Sequence, residues 1–253
     1  MIYGELPNKP VVYAACDKKY FHDHAPSLIY SLNDIGKDIH IHICEPNVHT
    51  HTLEAVLKKD IDVDITFTYN DVGVTPIDIR AYYSCLRFLM LPYLLPTAKE
   101  MLIVDTDCIF MNDFEWPKTA TGFFPRKSLE GTVGWEAQGT QVAAGCVYLT
   151  EEALPVAKAI VERIELGPMR WFIDQIALAE VFSRVEEKDI TKFDGNFMDW
   201  EFIEGTTIWT GKGPRKYENQ KYLKAKKDFY RVPNAVSNIC LLYTSDAADD
   251  WSS

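Results

Sequence analysis

The chain has 253 residues, 47% of them hydrophobic and 25% charged, with a formal net charge of −11. That is globular composition with a sizeable core, and so acidic a chain is poorly suited to gripping nucleic acid over a broad face. The most apolar window, CLRFLMLPYLL, is too short for a membrane span and is broken by Arg87 and Pro92.

The amino terminus, MIYGELPNKPVVYAAC, lacks the basic head and long apolar run of a secretion signal. At the other end CLLYTSDAADD, Cys240 to Asp250, reads as a translated sequencing adapter. We therefore expect one domain over 1–239 and a non-native tail over 240–253, with the native sequence after Ile239 displaced. Setting aside Asp246, Asp249 and Asp250 brings the net charge to −8. Cys16, Cys44, Cys85, Cys108 and Cys146 are widely spaced with no CxxC pair, which predicts reduced thiols in a cytoplasmic protein.

In chain order, PVVYAAC predicts a strand and HAPSLIYSLNDIG a helix, with Leu28, Leu32 and Ile35 on one stripe and Gly36 as its stop. DIHIHIC alternates, Ile39, Ile41 and Ile43 on one face and His40 and His42 on the other. HTLEAVLKK predicts a second helix, DIDVDITF a third strand and IRAYYSCLRFLMLPYLL a third helix closed by Pro96. EMLIVDTDCIF supplies the fourth strand. Such alternation predicts an α/β fold with a mainly parallel sheet flanked by helices, whose ligands bind beyond the carboxyl ends of the strands. After Asp113 the pattern becomes strand, glycine-punctuated loop and strand, then two helices, EEALPVAKAIVERIE and WFIDQIALAEVF.

The chemistry concentrates where the apolar run MLIV ends in Asp105 and Asp107. Residues i and i+2 of a strand point the same way, about 6.5 to 7 Å apart. Two carboxylates so placed raise each other's pKa unless a cation joins them, and a hard divalent ion, manganese or magnesium, completed by water and phosphate oxygens, fits that demand. Asp60, Asp62 and Asp64 have the same spacing, but they alternate with Ile61, Val63 and Ile65 and read as a half-solvated edge strand. No GxGxxG follows the first strand, and GTTIWTGKG misses the P-loop spacing and its Ser or Thr. The pairs His22/His24, His40/His42 and His49/His51 lack the cysteines or HExxH of a zinc site and read as strand-face and turn residues. Between Lys212 and Arg231, eight basic residues face Glu218 and Asp228, either an anion site or a solvated helix face.

VVYAACDKKYFHDHAPSLIYSL, YYSCLRFLMLPYLLP, IVDTDCIFMNDF, AAGCVYL and DQIAL follow one another here much as in the retaining glycosyltransferases of family eight, a group that includes glycogenin and bacterial lipopolysaccharide galactosyltransferases. The chain resembles that family over most of residues 10 to 216. The resemblance implies a GT-A fold, a nucleotide-sugar donor, usually UDP-linked, a manganese-dependent hexosyl transfer with retention, and a glycan, lipid-linked or protein acceptor. It implies that Ala15, Asp17 and Tyr20 line the nucleotide pocket and that Arg87 holds the donor. Asp105, Thr106 and Asp107 would form the DxD motif, its two aspartates on the metal. Gly145 stands where the family has Asn-Ala-Gly-Val beside the sugar, with Ala143 and Ala144 in place of the polar residue. Asp174 and Gln175 match an Asp-Gln pair facing the transferred sugar. The family's His-x-x-Gly-x-x-Lys motif best fits Thr210, Gly213 and Lys216, so Lys216 would neutralise the leaving diphosphate and Thr210 or Trp209 stands in place of a histidine metal ligand.

Plainer alternatives exist for single residues: Arg87 as a buried salt-bridge partner, and Gly145 as a strand bulge. For the whole chain, the alternatives are a non-catalytic nucleotide-sugar-binding module and a sugar-nucleotide pyrophosphorylase. The latter should carry a Gly- and Lys-rich triphosphate loop, which Ala15 to His24 lacks. Between covalent and front-face transfer the sequence does not choose.

Overall fold

The computed structural model describes residues 2–72, 78–126 and 141–233; the expected tail over 240–253 and the loop over 127–140 lie outside the described residues. The first half runs β1 (Tyr3–Gly4), β2 (Val11–Asp17), α1 (Lys18–Asp34), β3 (Ile39–Cys44), α2 (Val48–Asp60), β4 (Ile65–Asn70), α3 (Ile79–Leu89), α4 (Leu91–Ala98) and β5 (Glu100–Val104). Strands β4, β3, β2 and β5 lie side by side and parallel, as strand-helix alternation predicts.

Local chemistry moves several boundaries. Helix α1 starts at Lys18, well before the expected His24, because Asp17 caps it: its carboxylate accepts the Tyr20 N–H at 2.7 Å. Pro26 then sits inside the helix and cannot supply the N–H owed to the His22 carbonyl. The Tyr230 hydroxyl donates to that carbonyl instead, at 3.3 Å.

The strand expected over 60–67 is displaced to Ile65–Asn70. Asp60 closes α2 and accepts the Tyr30 hydroxyl at 2.5 Å, the Asn33 side chain accepts the Asp62 N–H at 2.7 Å, and Asp64 pairs with Lys9. The acidic alternation therefore spans a helix end and a turn, where side chains and backbone bond locally, and it is no edge strand. The expected single helix after Ile79 is two: Pro92 has no N–H for the Phe88 carbonyl, so α3 stops and α4 restarts with proline in its first turn. Pro96 lies inside α4, which ends at Lys99 with φ +68°.

After β5 the chain forms β6 (Cys108–Phe110), β7 (Thr121–Pro125), β8 (Val142–Thr150), α5 (Leu154–Leu166), α6 (Ile173–Phe182), β9 (Ile190–Lys192), β10 (Met198–Asp199), β11 (Ile208–Thr210), α7 (Arg215–Glu218) and α8 (Gln220–Phe229). Strands β8, β7 and β9 extend the sheet beyond β5, giving the order β1-β4-β3-β2-β5-β8-β7-β9, with β8 antiparallel to both neighbours. A small sheet, β10-β11-β6, covers one end. The sheet separates two cores. Val12, Ala14 and Cys16 of β2 face α1 and α2, whereas Val11, Tyr13 and Ala15 face α3 and α6. The five cysteines named above are free and buried, and among the described residues no helix is long and apolar enough to cross a membrane.

His40 and His42 lie on the strand face, as the alternation predicts. They are fully buried and bonded to Thr66, Thr68 and Asn70 at 2.8 to 2.9 Å. His22 and His24 lie in α1, and His49 and His51 in α2, not in turns. Burial pulls His40 down to about 3, His42 and His22 to about 4, and His24 to about 2. A histidine depressed in the folded state contributes stability that is present above its unfolded value near 6.5 and lost as pH falls toward the folded value. Each should cost about 1.4 kcal/mol per pH unit in that window. The chain should therefore lose stability between pH 6.5 and 4.5, seen as a falling urea midpoint. His40→Gln should flatten the slope, and a midpoint independent of pH would contradict this assignment.

Candidate active site

The chain runs outward from β2 to β3 and β4, then returns to lay β5 on the other side of β2. The carboxyl ends of β2 and β5 thus form a switch point, where open α/β sheets bind ligands. Asp17 ends one strand and Asp105 follows the other. Contrary to the expectation that Asp105 and Asp107 occupy alternate positions of a strand, β5 ends at Val104. The two aspartates lie in the tight turn joining β5 to β6, where the Cys108 N–H returns to the Asp105 carbonyl at 3.0 Å.

Beside this turn is a cavity of about 540 Å³, within the range of small-molecule sites. Its lining contains all twelve residues singled out above: Ala15, Asp17, Tyr20, Arg87, Asp105, Thr106, Asp107, Gly145, Asp174, Gln175, Gly213 and Lys216. Residues up to 201 positions apart in the chain meet there because β2, β5, β8 and α6 bring one end to it, α3 lays the face carrying Arg80, Tyr83, Ser84 and Arg87 along it, and α7 adds Lys216.

The sequence reading sought a positive charge outside the chain; part of it comes from inside. Arg87, 8% exposed, donates from one guanidinium nitrogen to Asp105 and from the other to Asp174 at 3.1 Å. Arg87 is thus both a buried salt-bridge partner and a cavity residue. The second Asp174 oxygen accepts the Gln175 N–H at 2.9 Å, so both its oxygens are engaged. Lys216 donates to Asp107 at 3.0 Å and to the Tyr20 hydroxyl. Burial opposes the charge on Lys216, but Asp107 and Tyr20 outweigh it and hold the ammonium above the ordinary lysine range. The Tyr222 hydroxyl donates to the Asp107 carbonyl at 2.7 Å, fixing the turn from α8. That contact requires Gly211, where a Cβ would lie 2.8 Å from the Tyr222 oxygen.

Burial pushes Asp107 up to about 6 despite Lys216 and Arg87. One ammonium does not repay the lost hydration of this carboxylate, so the site has capacity for more positive charge. Among the described residues no group of three His, Cys, Asp or Glu converges on a metal position. Asp105 and Asp107 supply hard oxygen donors, and buried Thr210 lines the same cavity. This donor set fits a divalent cation that takes its remaining ligands from water and substrate.

Gly145 has a specific steric cause. The β7–β8 register jumps from Phe123↔Val147 to Phe124↔Ala143, leaving Ala144 to Cys146 as a bulge. A Cβ on Gly145 would come within 2.1 Å of Asp105 Oδ2. The glycine therefore both marks a bulge and leaves room for Asp105. Gly145→Ala should displace that carboxylate and weaken manganese binding by about tenfold or more, with little change in the thermal midpoint. Unchanged metal affinity by calorimetry would contradict this.

Sequence reasoning missed Arg126, Trp200 and Lys212, which also line the cavity. Each looks ordinary alone: an arginine after a strand, a tryptophan in a polar stretch, a lysine between glycines. Lys212 belonged to the basic segment read as a possible anion site, the only signal available.

No protein-family model and no curated protein sequence matches this chain. Solved structures do. The glycosyltransferase GlyE of Streptococcus pneumoniae TIGR4 superposes with a TM-score of 0.59 at 12% identity, covering 94% of this chain and 65% of GlyE. Its apo form gives 0.59 at 12% identity, covering 95% and 64%. The bifunctional glycosyltransferase WbbM, also apo, gives 0.64 at 12% identity, covering 92% of this chain and 51% of WbbM. The chain thus spans between about half and two thirds of the length of these structures. Its fold is the mixed α/β, GT-A-like fold of glycosyltransferases.

Proposed function

We propose that this chain is a metal-dependent glycosyltransferase of the family-eight type, moving a sugar from a UDP-linked donor to a glycan, lipid-linked or protein acceptor with retention. The observation that carries this reading is the convergence of Asp105 and Asp107 with Arg87 and Lys216 in one cavity at the switch point. Breaking a sugar–phosphate bond leaves negative charge on the diphosphate and positive character on the anomeric carbon. Lys216 lies beside Asp107, placed to neutralise the leaving diphosphate. A manganese or magnesium ion held by Asp105 and Asp107 would supply Lewis-acid stabilisation of the same charge. Ala15, Asp17, Tyr20 and Thr106 surround the nucleotide position, with the Asp17 carboxylate as an acceptor for the base. Gly145 and Gly213 let backbone approach the donor. Gln175 presents its amide to the transferred sugar, and Asp174, with both oxygens engaged, positions Arg87.

A binding module without turnover is the second reading. It is favoured by Thr210 in place of a third metal ligand and by carboxylates already paired within the chain. Calorimetric titration of UDP with and without manganese tests what both share. Manganese should tighten UDP binding by about tenfold or more, and the absence of binding under both conditions would remove both readings.

A further inference from the structure

We infer that Arg126, Lys212 and Trp200 form an anion subsite in this cavity, taking a carboxylate or phosphate ester carried on a sugar; this rests on the glycosyl-transfer reading above. The three residues follow β7, β11 and β10 and meet around one ring. The Arg126 guanidinium carbon lies 5.6 Å from the centre of the Trp200 ring, and the Lys212 ammonium 4.8 Å from it. Both cations line the cavity. Among the described residues neither is ion-paired to a carboxylate; the polar contact of Arg126 is with the Gln175 amide oxygen at 3.4 Å.

The contrast with Arg87 and Lys216, two further cations of this cavity, is informative. Arg87 and Lys216 are matched by Asp105, Asp174 and Asp107. Arg126 and Lys212 instead repel one another, with Asp105 a weaker attraction on Lys212 and no ion pair to either among the described residues. Burial pulls Arg126 down, and burial, with Arg126 and Arg215 nearby, pulls Lys212 down to about 8. An incoming anion would relieve that repulsion, and a planar guanidinium matches a carboxylate or phosphate edge in two-pronged fashion. The contact with Gln175 ties the subsite to the position assigned to the transferred sugar. The anion therefore rides on the sugar of the donor or on the acceptor, while the diphosphate falls to Lys216.

Calorimetric titration of the full chain with two matched pairs tests this: UDP-glucose against UDP-glucuronate and, with UDP and manganese present, glucose against glucose 6-phosphate. The anionic member of one pair should bind about tenfold or more tighter than its neutral partner. Discrimination in the first pair places the anion on the donor sugar, and in the second on the acceptor. Combined Arg126→Gln and Lys212→Met should reduce the preference to about twofold or less, whereas Lys212→Arg should keep it. Unchanged thermal midpoints would establish that the variants are folded. No preference in either pair, or a preference that survives the double variant, overturns the subsite. A preference for anionic sugars in a chain that does not bind UDP would leave the subsite standing and remove the glycosyl-transfer reading.

Discussion

Replacing Asp107 by asparagine should lower manganese-dependent release of UDP from the donor by about 10² to 10³ or more. The side chain keeps its shape, so Tyr222 and Gly211 still hold the backbone of the turn. What is lost is the negative charge that would hold a divalent ion beside Lys216. The pH dependence provides an independent signature. Asp107 is pushed up to about 6, so below that pH a proton competes with the metal. Manganese affinity should rise about tenfold per pH unit up to pH 6 and then level off. In Asp107→Asn that titration should vanish. Full activity in the variant, or metal affinity in the parent that is flat from pH 5 to 7, would show that Asp107 is not a ligand.

Arg87→Met should destabilise the fold by about 3 to 5 kcal/mol, measured by urea unfolding at pH 7. The Asp174 side chain is 4% exposed and that of Asp105 37%, so the larger share of the penalty falls on Asp174. Burial already raises Asp174 with Arg87 present. Without the guanidinium its pKa should climb further. A carboxylate raised in the folded state contributes stability that is present at low pH and lost as pH rises, so the variant should recover stability relative to the parent on acidification. Arg87→Met with Asp174→Asn should recover part of the loss, because it removes a stranded charge together with its partner. Arg87→Lys should not fully substitute, since one ammonium cannot reproduce a planar bridge between two carboxylates. A loss below about 1 kcal/mol for Arg87→Met would mean that solvent replaces the guanidinium.

Where hydrophobic pattern alone decides structure, the sequence was readable: VVYAAC, IHIHIC and MLIV became the central strands, whereas the sheet order that makes the switch point is seen only in the fold. It was misleading where local polar chemistry competes. The period-two acids at 60, 62 and 64 imitate a strand, but Asn33, Tyr30 and Lys9 draw them into a helix end and a turn. Asp17 carries a ligand-contact role through the family resemblance, and its capping of α1 has no separate signal in the hydrophobic pattern. The twelve candidate residues meet in one cavity, yet the pairings within it, Arg87 between two carboxylates and Lys216 on Asp107, carry no spacing signal. Arg126, Trp200 and Lys212 could be joined only once β7, β10 and β11 were placed in space.

The most direct test of the central claim is turnover: incubate the full chain with a panel of UDP-sugars and follow UDP release with manganese and with a chelator. The account predicts release from at least one donor in manganese, abolished by chelation and by Asp107→Asn. Folded protein that binds UDP and manganese but releases nothing from any donor, with or without glycan acceptors, would contradict transfer and leave the binding module as the reading.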